Sequence, residues 1–178
     1  ESRGIRTTGL ERRVGEKSFY WAGKYHLDMN SRDTLATELN VLADFQPKVP
    51  AEARNADYVM LGNLDPTVQA SVLDQMESRP KLIVLDTMNF WMDIALDPLK
   101  EVIKRIDVLT INDEEARQLS GEHSLVKAAQ KILQMGPTTL VIKKGEHGAL
   151  LFNNSEVFFA PALPLEEVLD PTGAGHTF

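Results

Sequence analysis

Val108-Leu109-Thr110-Ile111, a charged run from Asp113 to Leu119, a second run from Leu125 to Met135, then Thr139-Leu140-Val141-Ile142: this stretch decides the fold. The short segments at its two ends are almost wholly apolar, the pattern of strands covered on both faces. Between them Gly121 stops the first helical run and Gly136-Pro137 stops the second. Glycine turns left-handed without steric cost and proline cannot continue a helix, so both are stop signals. Two apolar strands joined by helix are the unit of a parallel sheet.

The same rhythm extends upstream. Tyr58 to Leu61 is a short apolar strand, and Asp65-Pro66 opens a helix with Asp as cap and Pro at the first position. Val68, Val72, Leu73 and Met76 then recur at helical spacing. Lys81 to Leu85 is the next strand, and Asp97-Pro98 opens a helix with Leu99, Val102, Ile103 and Ile106 on one face. Downstream, Gly145 and Gly148 turn the chain into Ala149 to Phe152, and Asn153-Asn154 turns it again into Val157 to Phe159. The expected fold is α/β, a mostly parallel sheet with helices on both faces and right-handed crossovers. Ligands on such sheets bind beyond the carboxyl ends of the strands. Gly62-Asn63, Asp86 to Asn89, Asn112 to Glu115 and Lys143 to Gly145 therefore share one rim.

Residues 1–50 lack this rhythm and form a separate section from the α/β core at 51–178. Lys17 to Tyr25, rich in aromatics, reads as a strand, and Leu39 to Phe45 as another. Leu27 to Glu38 between them reads as a loop or short helix, and Pro47 and Pro50 punctuate the chain before the core begins.

Composition sets further bounds. The chain has 178 residues, 43% hydrophobic and 25% charged, and a net charge of −7. That charge speaks against a nucleic-acid surface. With no cysteine, disulfides, thiolate catalysis and Cys-type zinc sites are excluded. His26, His123, His147 and His176 do not pair at metal-ligand spacing. No apolar run approaches the ~20 residues of a membrane span, and no signal peptide is visible. The chain begins Glu1-Ser2-Arg3 and stops just after a helix starts, so both ends read as cuts in a longer protein.

Several places can carry chemistry. Asp170-Pro171-Thr172-Gly173-Ala174-Gly175-His176-Thr177-Phe178 reads as a turn opening a helix. Unpaired N–H groups and the positive dipole end make such a turn an anion cradle. Gly173 and Gly175 let the backbone approach a phosphate, and His176 stands directly behind as a proton acceptor. A Gly-rich turn with no ligand is the plainer alternative. Asn112 and Glu115 form a capping box in one reading. In the other, Glu115 orients hydrated Mg²⁺, which favours carboxylate, water and phosphate oxygens.

Lys143, Gly145 and Gly148 follow a strand and can meet a polyphosphate, or form a charged hairpin with solvated lysines. Asp86 and Asn89 can bind substrate hydroxyls or cap the following segment. Phe19, Trp21 and Tyr25 alternate on one strand face, where they can roof a substrate, form a dimer contact or build a small core. A G-x-x-x-x-G-K-[ST] loop is missing, since Gly4 and Gly9 are followed by Leu10-Glu11. Gly173-x-Gly175 matches the dinucleotide fingerprint only in part, because no apolar strand precedes it.

Together these segments resemble the PfkB (ribokinase-like) family of carbohydrate and nucleoside kinases. The run at 170–178 is similar to that family's C-terminal signature, Asn112-x-x-Glu115 to its N-x-x-E motif, and Ile142 to Ala149 to its nucleotide-loop strand and turn. The resemblance covers the chain from about Ala56 onward and implies a ribokinase-like α/β fold, a mostly parallel central sheet flanked by helices with a small β-lid. It implies a cytoplasmic phosphotransferase that moves the γ-phosphoryl group of ATP to a hydroxyl of a sugar or nucleoside. By position, Gly173, Ala174 and Gly175 would form the anion hole, Asn112 and Glu115 would manage Mg²⁺, and Lys143, Gly145 and Gly148 would lie by the ATP phosphates. Residues 19–25 would belong to the lid, which in some members forms a homodimer. Asp170 and Thr172 resemble a monovalent-cation site.

His176 departs from the family, which has Asp as general base there. An altered residue, an impaired kinase that still binds nucleotide or sugar, and a working His base are the three accounts. The family's N-terminal sugar-recognising strands and the adenine-contacting segment after the signature have no counterpart in the chain. A non-catalytic binding protein and a dinucleotide-binding oxidoreductase stand as competing readings.

Overall fold

The computed structural model describes residues 4–27, 32–170 and 172–173. Two sheets organise them. An antiparallel ribbon pairs β1 (Tyr20–Tyr25) with β2 (Arg32–Glu38). A six-stranded sheet comes next, in the order β3-β4-β5-β6-β7-β8. Its parallel strands are β3 (Tyr58–Leu61), β4 (Leu82–Asp86), β5 (Val108–Asn112) and β6 (Thr139–Lys143). β7 (Ala149–Asn153) and β8 (Val157–Ala160) extend it antiparallel. The helices are α1 (Pro66–Asp74), α2 (Asn89–Ile94), α3 (Leu96–Ile103), α4 (Asp113–Ser120) and α5 (Leu125–Leu133).

The four strands and connecting helices expected from the sequence are present, with refinements. Asp65 caps α1 as expected, accepting the Thr67 N–H at 2.7 Å, with Pro66 at the first helical position. Asp97 is not a cap: α3 begins at Leu96, and Asp97 and Pro98 lie in its first turn. α2 was not foreseen, because Asn89–Ile94 is one short turn-and-a-half with Trp91 and Met92 buried.

The ribbon corrects the reading of the first fifty residues. The second strand is Arg32–Glu38, expected as loop or short helix, while the expected strand at 39–45 holds a 3₁₀ turn, Asn40–Leu42. The reason is physical. β2 is exposed along nearly its whole length, so no apolar face writes an alternation into it. Leu39 to Leu42 is more apolar but is broken at Asn40, whose φ is +49° and whose amide donates to Ser18 O at 2.8 Å.

Burial divides the two faces of the large sheet. Register places Leu61, Ile83, Leu85, Leu109, Ile111, Leu140 and Ile142 on one face. All are buried, packed with Leu99, Ile103, Ala116 and Ile132 of the helices in one core. The opposite face carries Met60, Val84, Val108 and Thr110, which are exposed or half-buried and stay outside that core. The strands add in one direction, so right-handed crossovers put every connecting helix on the same side. Among the described residues, then, helices cover one face rather than the two expected.

Candidate functional site

The second face ends at the rim in a polar cluster. Asp86, Thr110, Asn112 and Lys143 are neighbours in register at the carboxyl ends of β4, β5 and β6. Lys143 Nζ lies 3.2 Å from Asp86 Oδ1, with the two side chains 14% and 4% exposed. The Thr110 hydroxyl stands 3.4 Å from the same oxygen. Lys143 is therefore no solvated hairpin lysine, and Asp86 does not cap α2, whose N-cap residue is Met88. Sequence reasoning placed both on one rim but could not pair residues 57 positions apart. Gln69 of α1, also buried, donates to Gly62 O at 2.7 Å and Asp86 O at 3.2 Å, so one amide ties the ends of β3 and β4.

Asn112 and Glu115 make the capping box that opens α4. The Glu115 N–H donates to Asn112 Oδ1 and the Asn112 N–H to Glu115 Oε2, each at 2.8 Å. The cap uses one carboxylate oxygen of Glu115 and leaves the second outside the box. Burial pushes the Glu115 carboxyl above the ordinary carboxylate range. The Asn112 N–H and the charges of Lys143 and Arg32 oppose that rise, and Asp86 adds to it. A buried carboxylate incompletely offset by its neighbours fits a cation beside it. Among the described residues no three His, Asp or Glu side chains cluster as metal ligands.

The ribbon covers a cavity of about 1200 Å³ beside this cluster. Phe19, just before β1, lines it together with Trp21, Arg32 and Thr34 of the ribbon, and Asn63, Asn89, Trp91 and Asn112 line it from the rim. Phe19 and Trp21 thus both line the cavity, and Tyr25 is not among its lining residues. The Trp21 indole lies back across Gly23, where an added Cβ would sit 2.2 Å from the ring. The Arg32 guanidinium is 5.9 Å from that ring's centroid. Asn89 lines the cavity and donates to Gln118 Oε1 at 3.0 Å instead of capping α2. Trp91, unremarked in the sequence, donates from its indole to Asn63 Oδ1 at 2.9 Å and so fixes the Asn63 side chain.

The glycines after β6 have separate reasons. Gly145 (φ +54°) opens a 3₁₀ turn, Gly145–His147. Gly148 (φ +83°) meets the end of β8 so closely that a Cβ would lie 2.0 Å from Ala160 O. Backbone conformation and packing both require glycine there. At the terminus, the Thr172 N–H donates to Asp170 Oδ1 at 2.8 Å, and Gly173 comes next with φ +78°. That bond, with a second from the Thr172 side chain, holds the Asp170 carboxyl below its usual range. Ala174, Gly175 and His176 lie outside the described residues.

The chain matches the description of the pfkB family carbohydrate kinases over residues 3–178, and it belongs to that family. It is 29% identical over 135 residues to a cytidine kinase of Thermococcus kodakarensis, an alignment covering 73% of the chain and 48% of that protein. It is 39% identical over 70 residues to a 2-dehydro-3-deoxygluconokinase of Thermoproteus tenax, covering 39% of the chain and 21% of that protein. The chain thus spans about half the length of the cytidine kinase it matches. Its fold superposes on a crystal structure of a putative ribokinase II from E. coli in complex with ATP and Mg²⁺. The TM-score is 0.71 at 19% identity, over 90% of the chain and 55% of that protein. Among the described residues no helix is long and apolar enough to cross a membrane.

Proposed function

We propose that this chain carries the central part of an ATP-dependent kinase that phosphorylates a hydroxyl of a sugar or nucleoside. The observation that carries the reading is the meeting of Glu115, Asn112, Asp86 and Lys143 at one rim, beside a ribbon-covered cavity. Residues 1–50 serve as the lid and residues 51–178 as part of the catalytic core. The cavity takes the acceptor, with Phe19, Trp21 and Asn89 against it. Asp86 acts one step removed, by holding Lys143 in place.

Asn112 and Glu115 are the residues that would hold Mg²⁺, whose charge, when bound, neutralises polyphosphate and favours transfer. Lys143 and Gly145 lie on the phosphate side; Gly148 holds their turn against the chain after β8. Gly173, Ala174 and Gly175, by their place in the family's signature, would offer backbone N–H groups to the transferred group. His176 occupies the sequence position of the family's general base, and in that role it would take the acceptor's hydroxyl proton as the new P–O bond forms and ADP leaves with the old one. Asp170 and Thr172 are the place for a monovalent cation. Tyr20 and Leu35, exposed on the ribbon, are where a second copy would meet it.

The test is ATP-dependent phosphorylation of a panel of sugars and nucleosides by the intact protein, with ADP release and product both measured. Transfer to at least one acceptor is expected; binding of ATP with no transfer to any would replace this reading with a non-catalytic nucleotide- and sugar-binding protein. His176 is the specific reason to keep that second reading. General bases contribute about 10²–10⁴-fold, so His176→Asp is expected to raise kcat at least about ten-fold. An unchanged, already high kcat would show that imidazole suffices.

A further inference from the structure

Resting on the reading of the ribbon-covered cavity as the acceptor site, we infer that it selects an electrically neutral acceptor. That means a sugar or nucleoside free of phosphate and carboxylate groups. Its wall carries Asp44, Asp65, Asp93 and Glu114 against only Arg32 and Lys48. None of the four carboxylates has a cationic partner among the described residues. Asp65 Oδ1 accepts the Thr67 N–H at 2.7 Å and its hydroxyl at 2.6 Å, and Asp93 Oδ1 accepts from the Gln118 amide at 2.7 Å. These neutral donors fix Asp65 and Asp93 in place without supplying a countercharge.

The wall's two cations, Arg32 and Lys48, are both exposed and are outnumbered two to one by its carboxylates. Arg32 lies against the Trp21 ring and also acts on the buried Glu115. Lys143, on the rim but not in the cavity wall, faces Asp86. A phosphate or carboxylate is ordinarily met by a bidentate arginine or convergent backbone N–H groups. This wall offers instead the amides of Asn63 and Asn89, which suit hydroxyls and ring nitrogens. The cytidine kinase and the 2-dehydro-3-deoxygluconokinase divide on this property: cytidine is neutral, whereas 2-dehydro-3-deoxygluconate carries a carboxylate. The cavity sides with the neutral one.

The experiment titrates the intact protein calorimetrically with neutral acceptors, ribose and cytidine among a panel, and with anionic ones, 2-dehydro-3-deoxygluconate and fructose 6-phosphate. Phosphorylation of each is measured in parallel. The best neutral acceptor is expected to bind at least about ten-fold tighter than any anionic one at about 25 mM salt, and the gap to narrow at about 300 mM as screening shortens the reach of the wall charges. The double variant D44N/D93N, which keeps an Oδ1 acceptor for Gln118, should narrow it at least about three-fold by improving the anions.

An anion that binds as tightly as the neutral panel, or a gap untouched by salt and by the double variant, overturns the inference. Preferred transfer to an anionic acceptor overturns it alone and leaves the kinase reading standing. A neutral preference in binding with no transfer to any acceptor upholds it and removes the kinase reading. Binding of no acceptor at all removes both.

Discussion

Lys143 and Asp86 show how a single pair ties the site to the stability of the fold. Both side chains are largely out of water, at 14% and 4% exposure. Removing one member of such a pair costs about 3–5 kcal/mol, because the other charge stays behind without its partner. Lys143→Met is therefore expected to lower the urea midpoint sharply, and D86N/K143M, which removes both charges, to recover a large part of the loss. A single variant as stable as the parent would show that the pair contributes little.

Glu115 gives the second residue-scale expectation. Burial raises its carboxyl above the ordinary value, so the folded chain binds the proton more readily than the unfolded one. Its contribution to stability is then full below the ordinary carboxylate value and is lost as pH rises through the raised one. Glu115→Gln keeps an oxygen for the Asn112 N–H and removes the titration. Chemical denaturation between about pH 4 and about pH 7 should show parent stability falling relative to this variant as pH rises; parallel profiles would contradict the assignment.

At the scale of elements, the corner from β6 through β7 to β8 depends on Gly148. Its φ of +83° and the 2.0 Å approach of Ala160 O to any Cβ leave a side chain neither conformation nor room. Gly148→Ala should destabilise by well over ~1 kcal/mol. Gly145→Ala, where φ is +54°, should cost about 1–2 kcal/mol for the left-handed backbone. Thermal melts of the two variants decide the order.

The same corner shows what the sequence can and cannot disclose. The glycines announced a turn, and the periodicity of α4 and α5 announced the helices, because both signals are local. The contact of Gly148 with the end of β8, the pairing of Asp86 with Lys143 and the clasp of Gln69 on two strand ends are set by register between distant segments. β2 escaped notice for another reason: a strand wet along nearly its whole length carries no apolar alternation to read. The rim was legible as a set of strand ends. Which of its side chains touch was not.

For the molecule as a whole, the inequality of the sheet's two faces governs where substitutions matter. Leu140, fully buried, stands in the core between the strands and α4 and α5, whereas Phe158 on β8 is 63% exposed. Truncating a buried leucine removes its transfer energy and leaves a cavity, together worth about 2–5 kcal/mol. Truncating a mostly solvated ring on the edge strand should fall within about 0.5 kcal/mol, although phenylalanine is the larger side chain. Leu140→Ala and Phe158→Ala compared by urea denaturation test this directly. Equal losses would mean that the face bearing Met60, Val84 and Phe158 is packed as firmly as the helical one, and that stability in this chain is shared across both sides of the sheet.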